Sequence, residues 1–163
     1  MDFSIRAARD EDRADLGRMG AALVRLHHAF DSKRFFMREG PIEEGYGNWL
    51  VKTSKSERSV VVVAERAGPP QERRVIGYAW GTLEDRDWMT LRDAAGMLQD
   101  IYVDETARRS GVARKLLEEL IARLKDKGAP RVVLMTAAKN EGAQRFFDSM
   151  GFRPTMIEMT IEL

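Results

Sequence analysis

The segment from Leu98 to Ala113 carries the residues whose types and spacing best fit a piece of chemistry. It reads as a strand, then a short polar loop, then Gly111 and Ala113 at the opening of a long amphipathic helix. A helix start leaves several backbone N–H groups without partners and carries partial positive charge. Small residues there let a phosphate approach the backbone. Arg108, Arg109 and Arg114 add full positive charge. These features describe an anion site, with a pyrophosphate as the best-fitting ligand, although an ordinary strand-to-helix loop with a glycine turn fits the same letters. Neither common nucleotide loop is present: there is no GxGxxG, and no Lys-Ser/Thr pair follows the glycine.

Around this segment lie residues that could form a second, acceptor-side pocket. Asp100 and Tyr102 share one strand face by strict alternation, a parity that a bulge would break. Phe30, Phe35, Phe36, Tyr46, Trp80 and Trp88 are candidate walls, though aromatics at such spacings are more often core than ligand contacts. Trp88 sits in a polar loop beside Arg86 and Asp87, which marks it for ligand contact, and carboxylates nearby would suit a cationic amine. With no cysteine, disulfides, thiolate nucleophiles and cysteine zinc sites are excluded. The two histidines, His27 and His28, are adjacent, so no metal site is expected.

The elements that must position these residues follow from periodicity. Phe3 to Ala7 reads as a first strand, and Asp10, Glu11 and Asp12 supply an acidic helix start. Leu16, Met19, Leu23, Leu26 and Phe30 then recur at helical spacing, and a second helix is expected with Pro41 in its first turn. Ser59 to Glu65, with four consecutive valines, is a buried strand. Gly68-Pro69-Pro70 turns the chain into a strand over Val75 to Leu83, giving a hairpin. Met97 to Val103 is a further strand. Val112, Leu116, Leu117, Leu120, Ile121 and Leu124 trace one helical face, which Gly128 and Pro130 end. A strand over Arg131 to Thr136, a short helix over Asn140 to Met150 and a last strand over Thr155 to Leu163 complete the chain. The order describes an α/β fold, a mixed sheet with helices on its faces.

The 163 residues suit a single domain over 1–163, with one core. The near-balance of 27 basic and 26 acidic residues argues against nucleic-acid binding by overall charge, and no aromatic-basic interleaved stretch accompanies Arg108, Arg109, Arg114 and Lys115. No apolar run approaches membrane-spanning length, and Met1 to Arg9 lacks the apolar core of a signal peptide. A cytoplasmic location is expected.

Two motifs carry a family resemblance. Arg108-x-x-Gly111-x-Ala113, behind Asp100-Ile101-Tyr102-Val103, resembles the signature loop of the GCN5-related N-acetyltransferases. Asn140-x-x-Ala143-x-x-Phe146-Phe147-x-x-Met150-Gly151-Phe152 resembles that family's later helix with its closing Gly-Phe, and the element order matches along nearly the whole chain. The resemblance implies a mostly antiparallel sheet splayed into a V, with acetyl-CoA as acyl donor. Ile101 and Val103 would then offer backbone groups to the pantetheine arm. Arg108, Arg109, Ser110, Gly111, Val112, Ala113 and Arg114 would surround the pyrophosphate. Asn140 would lie beside the pantetheine while also capping its helix. Ala143 and Phe146 would pack near it, with pure core an equal reading for Phe146 and Met150. Phe147 departs from the pattern, standing where many members have a tyrosine that protonates the departing thiolate.

The implied activity is acetyl transfer to a primary amine of a small molecule or peptide, by direct attack on the thioester in a ternary complex. Asp100 is the first candidate for the base that takes the amine's proton, against a reading as a solvated or salt-bridged carboxylate. Tyr102 is the alternative proton donor, and Glu84, Asp85 and Asp87 are further acids. Phe30, Trp80 and Trp88 are the acceptor-binding candidates. The missing tyrosine keeps a second reading open, a non-catalytic acyl-CoA-binding sensor on the same fold. The last strand, alternating apolar and polar from Met156 to Leu163, is expected at a sheet edge, pairing across a twofold axis in a homodimer.

Overall fold

The four valines from Val60 to Val63 cannot all face one way, because side chains alternate across a strand. In the computed structural model, which describes residues 2–69 and 74–163, Val60 and Val62 pack against one helix layer and Val61 and Val63 against another. Their strand is therefore covered on both faces, and a continuous apolar run is the sequence that such burial requires.

The sheet is built from β1 (Phe3–Ala7), β2 (Ser59–Arg66), β3 (Val75–Glu84), β4 (Ala95–Val103) and β5 (Val132–Leu134), in spatial order β1-β2-β3-β4-β5. The first four strands pair antiparallel, and β5 joins β4 in parallel. The expected turn at Gly68-Pro69-Pro70 lies partly outside the described residues, at Pro70.

On one face lies α3 (Val112–Asp126), whose Leu116, Leu117, Leu120 and Leu124 are all 0% exposed. Truncating any of them to alanine would cost about 2–5 kcal/mol. Beside it, α4 (Glu141–Ser149) buries Phe147 in the same core. The opposite face carries α1 (Arg13–Phe30) and α2 (Ile42–Thr53), which bury Leu16, Met19, Leu50 and Val51 against Val61, Val63, Val75 and Tyr78. Pro41 stands just before α2 as its N-cap rather than inside its first turn. Asp12, beside the start of α1, is held by Arg6 through bonds of 2.7 and 2.8 Å.

One expected element is corrected. Thr155 to Leu163 forms no strand and is exposed throughout. Alternation records which face a strand would bury, but a strand also needs a neighbour for its backbone groups, and this segment has none among the described residues. Among the described residues no helix is long and apolar enough to cross a membrane.

Candidate active site

The positions of the reactive residues depend on one irregularity. Trp80 is the partner of Asp100, while the next residue, Gly81, is the partner of Leu98, so Gln99 is an extra residue in β4. A bulge of this kind shifts the alternation by one. Leu98 consequently packs into the α3 core, whereas Asp100 and Tyr102, which strict alternation would put on Leu98's face, are turned to the α1–α2 side. The pair keeps its common face because the bulge precedes both.

On that side Asp100 meets two tyrosines. Tyr46 of α2 donates its hydroxyl to Asp100 Oδ2 at 2.5 Å, and Tyr78 of β3 donates to the same oxygen at 3.1 Å. No described residue bonds Oδ1. Burial holds the Asp100 carboxyl above the ordinary carboxylate range, against the opposite pull of the two hydroxyls and of His27. Burial, reinforced by the Asp100 charge, likewise raises both phenols above their usual range, which keeps them protonated and donating. Tyr46 continues into an aromatic wall: its ring meets Trp49 at 5.5 Å, and Trp49 meets Trp80 at 4.5 Å, both edge-on. Trp80 Nε1 is buried without a hydrogen-bond partner among the described residues.

The opposite edge of β4 opens at the same place. β5 pairs with Gly96, Met97 and Leu98 and then ends, so β4 runs on from Gln99 to Val103 without a neighbour on that side. Val103's carbonyl accepts from Arg108 Nε at 3.2 Å rather than from β3. Residues two apart in a strand turn their backbone groups the same way, so Ile101 and Val103 both address the open edge.

Past β4, Asp104 is buried and bound by Arg18 of α1 at 2.7 Å and by Arg74 at 3.4 Å, which ties the following loop to the rest of the molecule. Arg109 and Gly111 then take positive φ, 61° and 86°. Gly111 is the N-cap of α3 and offers no side chain to it. The first helical bond of α3 runs from Lys115 N to Gly111 O, so the amides of Val112, Ala113 and Arg114 have no acceptor within the helix. A Cβ on Gly111 would meet nothing within 4 Å, leaving open space in front of those amides. Arg109, Ser110 and Arg114 are exposed around it. Arg108 stays close to the strand, with its guanidinium 5.9 Å from the centre of the Tyr102 ring. These groups fit an anion such as a pyrophosphate.

Asn140 caps α4, its Oδ1 accepting from Ala143 N at 3.2 Å. Ala143 and Phe146 are half-buried against the α3 core, and Phe147 is 7% exposed between Phe146 and Phe152.

The acceptor candidates are not brought together. Trp80 lies beside Asp100, but Phe30 has its ring contact with His27, and Trp88 is 74% exposed in the loop after β3, covered by Arg86. Glu84, Asp85 and Asp87 line a separate cavity of about 590 Å³ with Arg58, Thr82 and Arg92. There Asp85 pairs with Arg58 and Asp87 binds Thr90, while Glu84 accepts from Thr82. Tyr78 and Trp49 were not legible as site residues. A tyrosine inside a buried strand and a tryptophan on a helix read as core, and only the folded chain shows Tyr78 bonding Asp100 and Trp49 standing between Tyr46 and Trp80.

Among known proteins, the acetyltransferase (GNAT) family model matches residues 23–152. N-acetyltransferase 8 of Homo sapiens is 34% identical over 107 residues, 65% of this chain, and the chain spans only 44% of that relative's length. A solved tetramutant of the protein BH1408 from Bacillus halodurans superposes with a TM-score of 0.80 at 23% identity, over 98% of this chain and 99% of that one. AAC(6')-Iy, solved with the bisubstrate analogue CoA-S-monomethyl-acetylneamine, gives a TM-score of 0.74 at 16% identity, over 100% and 99% of the two chains.

Proposed function

The chain belongs to the acetyltransferase (GNAT) family, and on that premise we propose that it is an acetyl-CoA-dependent N-acetyltransferase whose acceptor is a primary amine of a small molecule or peptide. The observation that carries this reading is the Asp100 carboxylate, held through one oxygen by Tyr46 and Tyr78 and free at the other, at the point where β4 loses β5.

Acetyl-CoA would supply an acyl group activated as a thioester. The amides of Val112, Ala113 and Arg114, with Arg109 and Arg114 around them, would hold its pyrophosphate. The N–H and carbonyl of Ile101 and the N–H of Val103, turned to the open edge, would pair with its pantetheine arm. In that arrangement the acyl end would lie beside the bulge at Gln99, next to Asp100.

An amine arrives at neutral pH mostly as ammonium and cannot attack while protonated. Asp100 Oδ1 would accept its proton, the free amine nitrogen would then form the new C–N bond as the C–S bond breaks, and the second proton shed by that nitrogen would balance the one the departing thiolate takes up. A carboxyl raised by burial is a better match for that task than an ordinary one. The two tyrosine hydroxyls fix the direction of the carboxylate. The wall of Tyr46, Trp49 and Trp80 would shield the nitrogen from water and favour a cationic acceptor. Tyr102, on the same face of β4, is the candidate to hand a proton to the thiolate.

Phe147 favours a second reading, an acyl-CoA-binding sensor without turnover, because its buried ring offers no proton. Thiol release measured against amino acids, polyamines, aminoglycosides and peptides with free N-termini separates the two. Release with any acceptor supports the transferase. A thermal shift with acetyl-CoA but no release across the panel supports the sensor, and no shift removes both.

A further inference from the structure

Residues two apart on a strand share a face, so Tyr78, Trp80, Thr82 and Glu84 of β3 line up on one side of the sheet. Tyr78 bonds Asp100, and Trp80 is the partner of Asp100 across the ladder, so the row starts at the carboxylate of the proposed site. Hydrogen bonds carry it onward. Gln99, the extra residue of the bulge, donates through Nε2 to Thr82 Oγ1 at 3.1 Å, and Thr82 donates to Glu84 Oε1 at 2.5 Å. The strand rise between Trp80 and Glu84 sets the far end of the row about 13 Å from Asp100. There the cavity of about 590 Å³ opens.

The charges of that cavity are matched, with one exception. Arg58 binds Asp85 at 3.0 Å, and Arg86 binds Asp93 at 3.0 Å. Arg92 is bridged to Asp87 by two backbone bonds, of 2.8 and 3.0 Å. Asp87 is held below the usual carboxylate range by the Thr90 hydroxyl, the Met89 and Thr90 amides and the Arg92 charge. Glu84 is the exception. It is half-buried, its hydrogen bond comes from the neutral Thr82 hydroxyl, and no basic side chain pairs with it among the described residues. A carboxylate drawn out of bulk water without a counter-charge gains from a cation. Among the described residues the acids here do not gather into a group of three that could hold a metal ion, which favours an ammonium.

We propose that Glu84 forms a distal subsite for the second ammonium of a linear diamine or polyamine, whose first nitrogen is the one acetylated beside Asp100. This rests on the transferase reading above and adds the class of acceptor. The indole of Trp80, at the Asp100 end of the row, would carry the methylene chain. A monoamine leaves Glu84 unpaired, a carboxylate at the acceptor's far end meets its repulsion, and a short diamine does not span the row.

Calorimetry on the coenzyme A-saturated protein compares diaminooctane with octylamine, which has the same carbon chain and one nitrogen. The diamine is expected to bind about tenfold tighter. Glu84→Gln should remove that advantage by weakening the diamine, while the melting curve and the coenzyme A affinity show the fold intact. Turnover should follow the same order, with kcat/KM for diaminooctane above that for octylamine and above that for the shorter putrescine. Equal affinity for diaminooctane and octylamine would overturn the proposal, as would an advantage that survives Glu84→Gln. Acetylation of other amines beside either result would leave the transferase reading standing. A diamine site that depends on Glu84, with no turnover of any amine, would support the subsite and remove the transferase.

Discussion

Gly20 of α1 lies directly against the ring of Tyr46: a Cβ at Gly20 would stand 2.0 Å from Tyr46 Cδ1. The missing side chain is what lets Tyr46 lie flat on α1 and reach Asp100. Gly20→Ala should push the ring aside and break the bond to the carboxylate. Overpacking of this kind costs about 1–3 kcal/mol. The melting temperature should fall, and kcat should fall with acetyl-CoA affinity unchanged. A variant with parental kcat would show that Tyr46 does not position the carboxylate.

Asp100→Asn should abolish most of the turnover while leaving acetyl-CoA binding intact, since asparagine keeps the shape but takes up no proton. The deficit should shrink as pH rises and more acceptor arrives unprotonated. Stability should move the other way. Folding raises the Asp100 pKa, so between its unfolded and folded values the native state holds more protons, and stability falls as pH rises through the folded value. At neutral pH the ionised carboxylate is therefore a liability, and Asp100→Asn should melt higher than the parent there. The advantage should vanish below the unfolded value. Melting curves across that pH range check both signs.

The acid limb of the kcat/KM profile should lie above the position of an ordinary carboxylate, because burial raises Asp100. Tyr46→Phe removes a hydroxyl that lowers that value, so it should move the limb further up. A limb that stays in place would indicate that a group other than Asp100 sets it.

Gly111→Glu should eliminate coenzyme A binding with the fold retained. The position has room for a Cβ, but its φ of 86° disfavours any side chain, at roughly 1–2 kcal/mol, and the new charge opposes a pyrophosphate. Calorimetry with coenzyme A, alongside a melting curve, separates the two effects. Affinity equal to the parent would put the phosphate site elsewhere.

Phe147→Tyr tests whether a lost general acid can be restored. The ring is 7% exposed among Phe146, Phe152 and the α3 core, so the added hydroxyl would lack a partner. A loss of about 1–3 kcal/mol in denaturant unfolding is expected, with no gain in rate. A faster enzyme would mean that the hydroxyl reaches the thiolate.

The sequence by itself determined the element order through β5 and α4, because each element has its own periodicity: the valine run of β2, the leucine stripe of α3, the Asn140 cap of α4. It also determined the turn into α3, since Gly111 and the helix start behind it are neighbours in the chain. Tertiary structure alone decided what surrounds Asp100. The bulge at Gln99 turns the carboxylate toward α2, where Tyr78 reaches it from β3 and Tyr46 reaches it through a gap that Gly20 leaves. No local pattern records such contacts, because a tyrosine that binds a carboxylate and one that fills a core have the same neighbours in sequence. The alternation of residues 155–163 likewise specified a strand face without specifying its partner, since hydrogen-bond pairing between strands is a property of two segments and cannot be read from one.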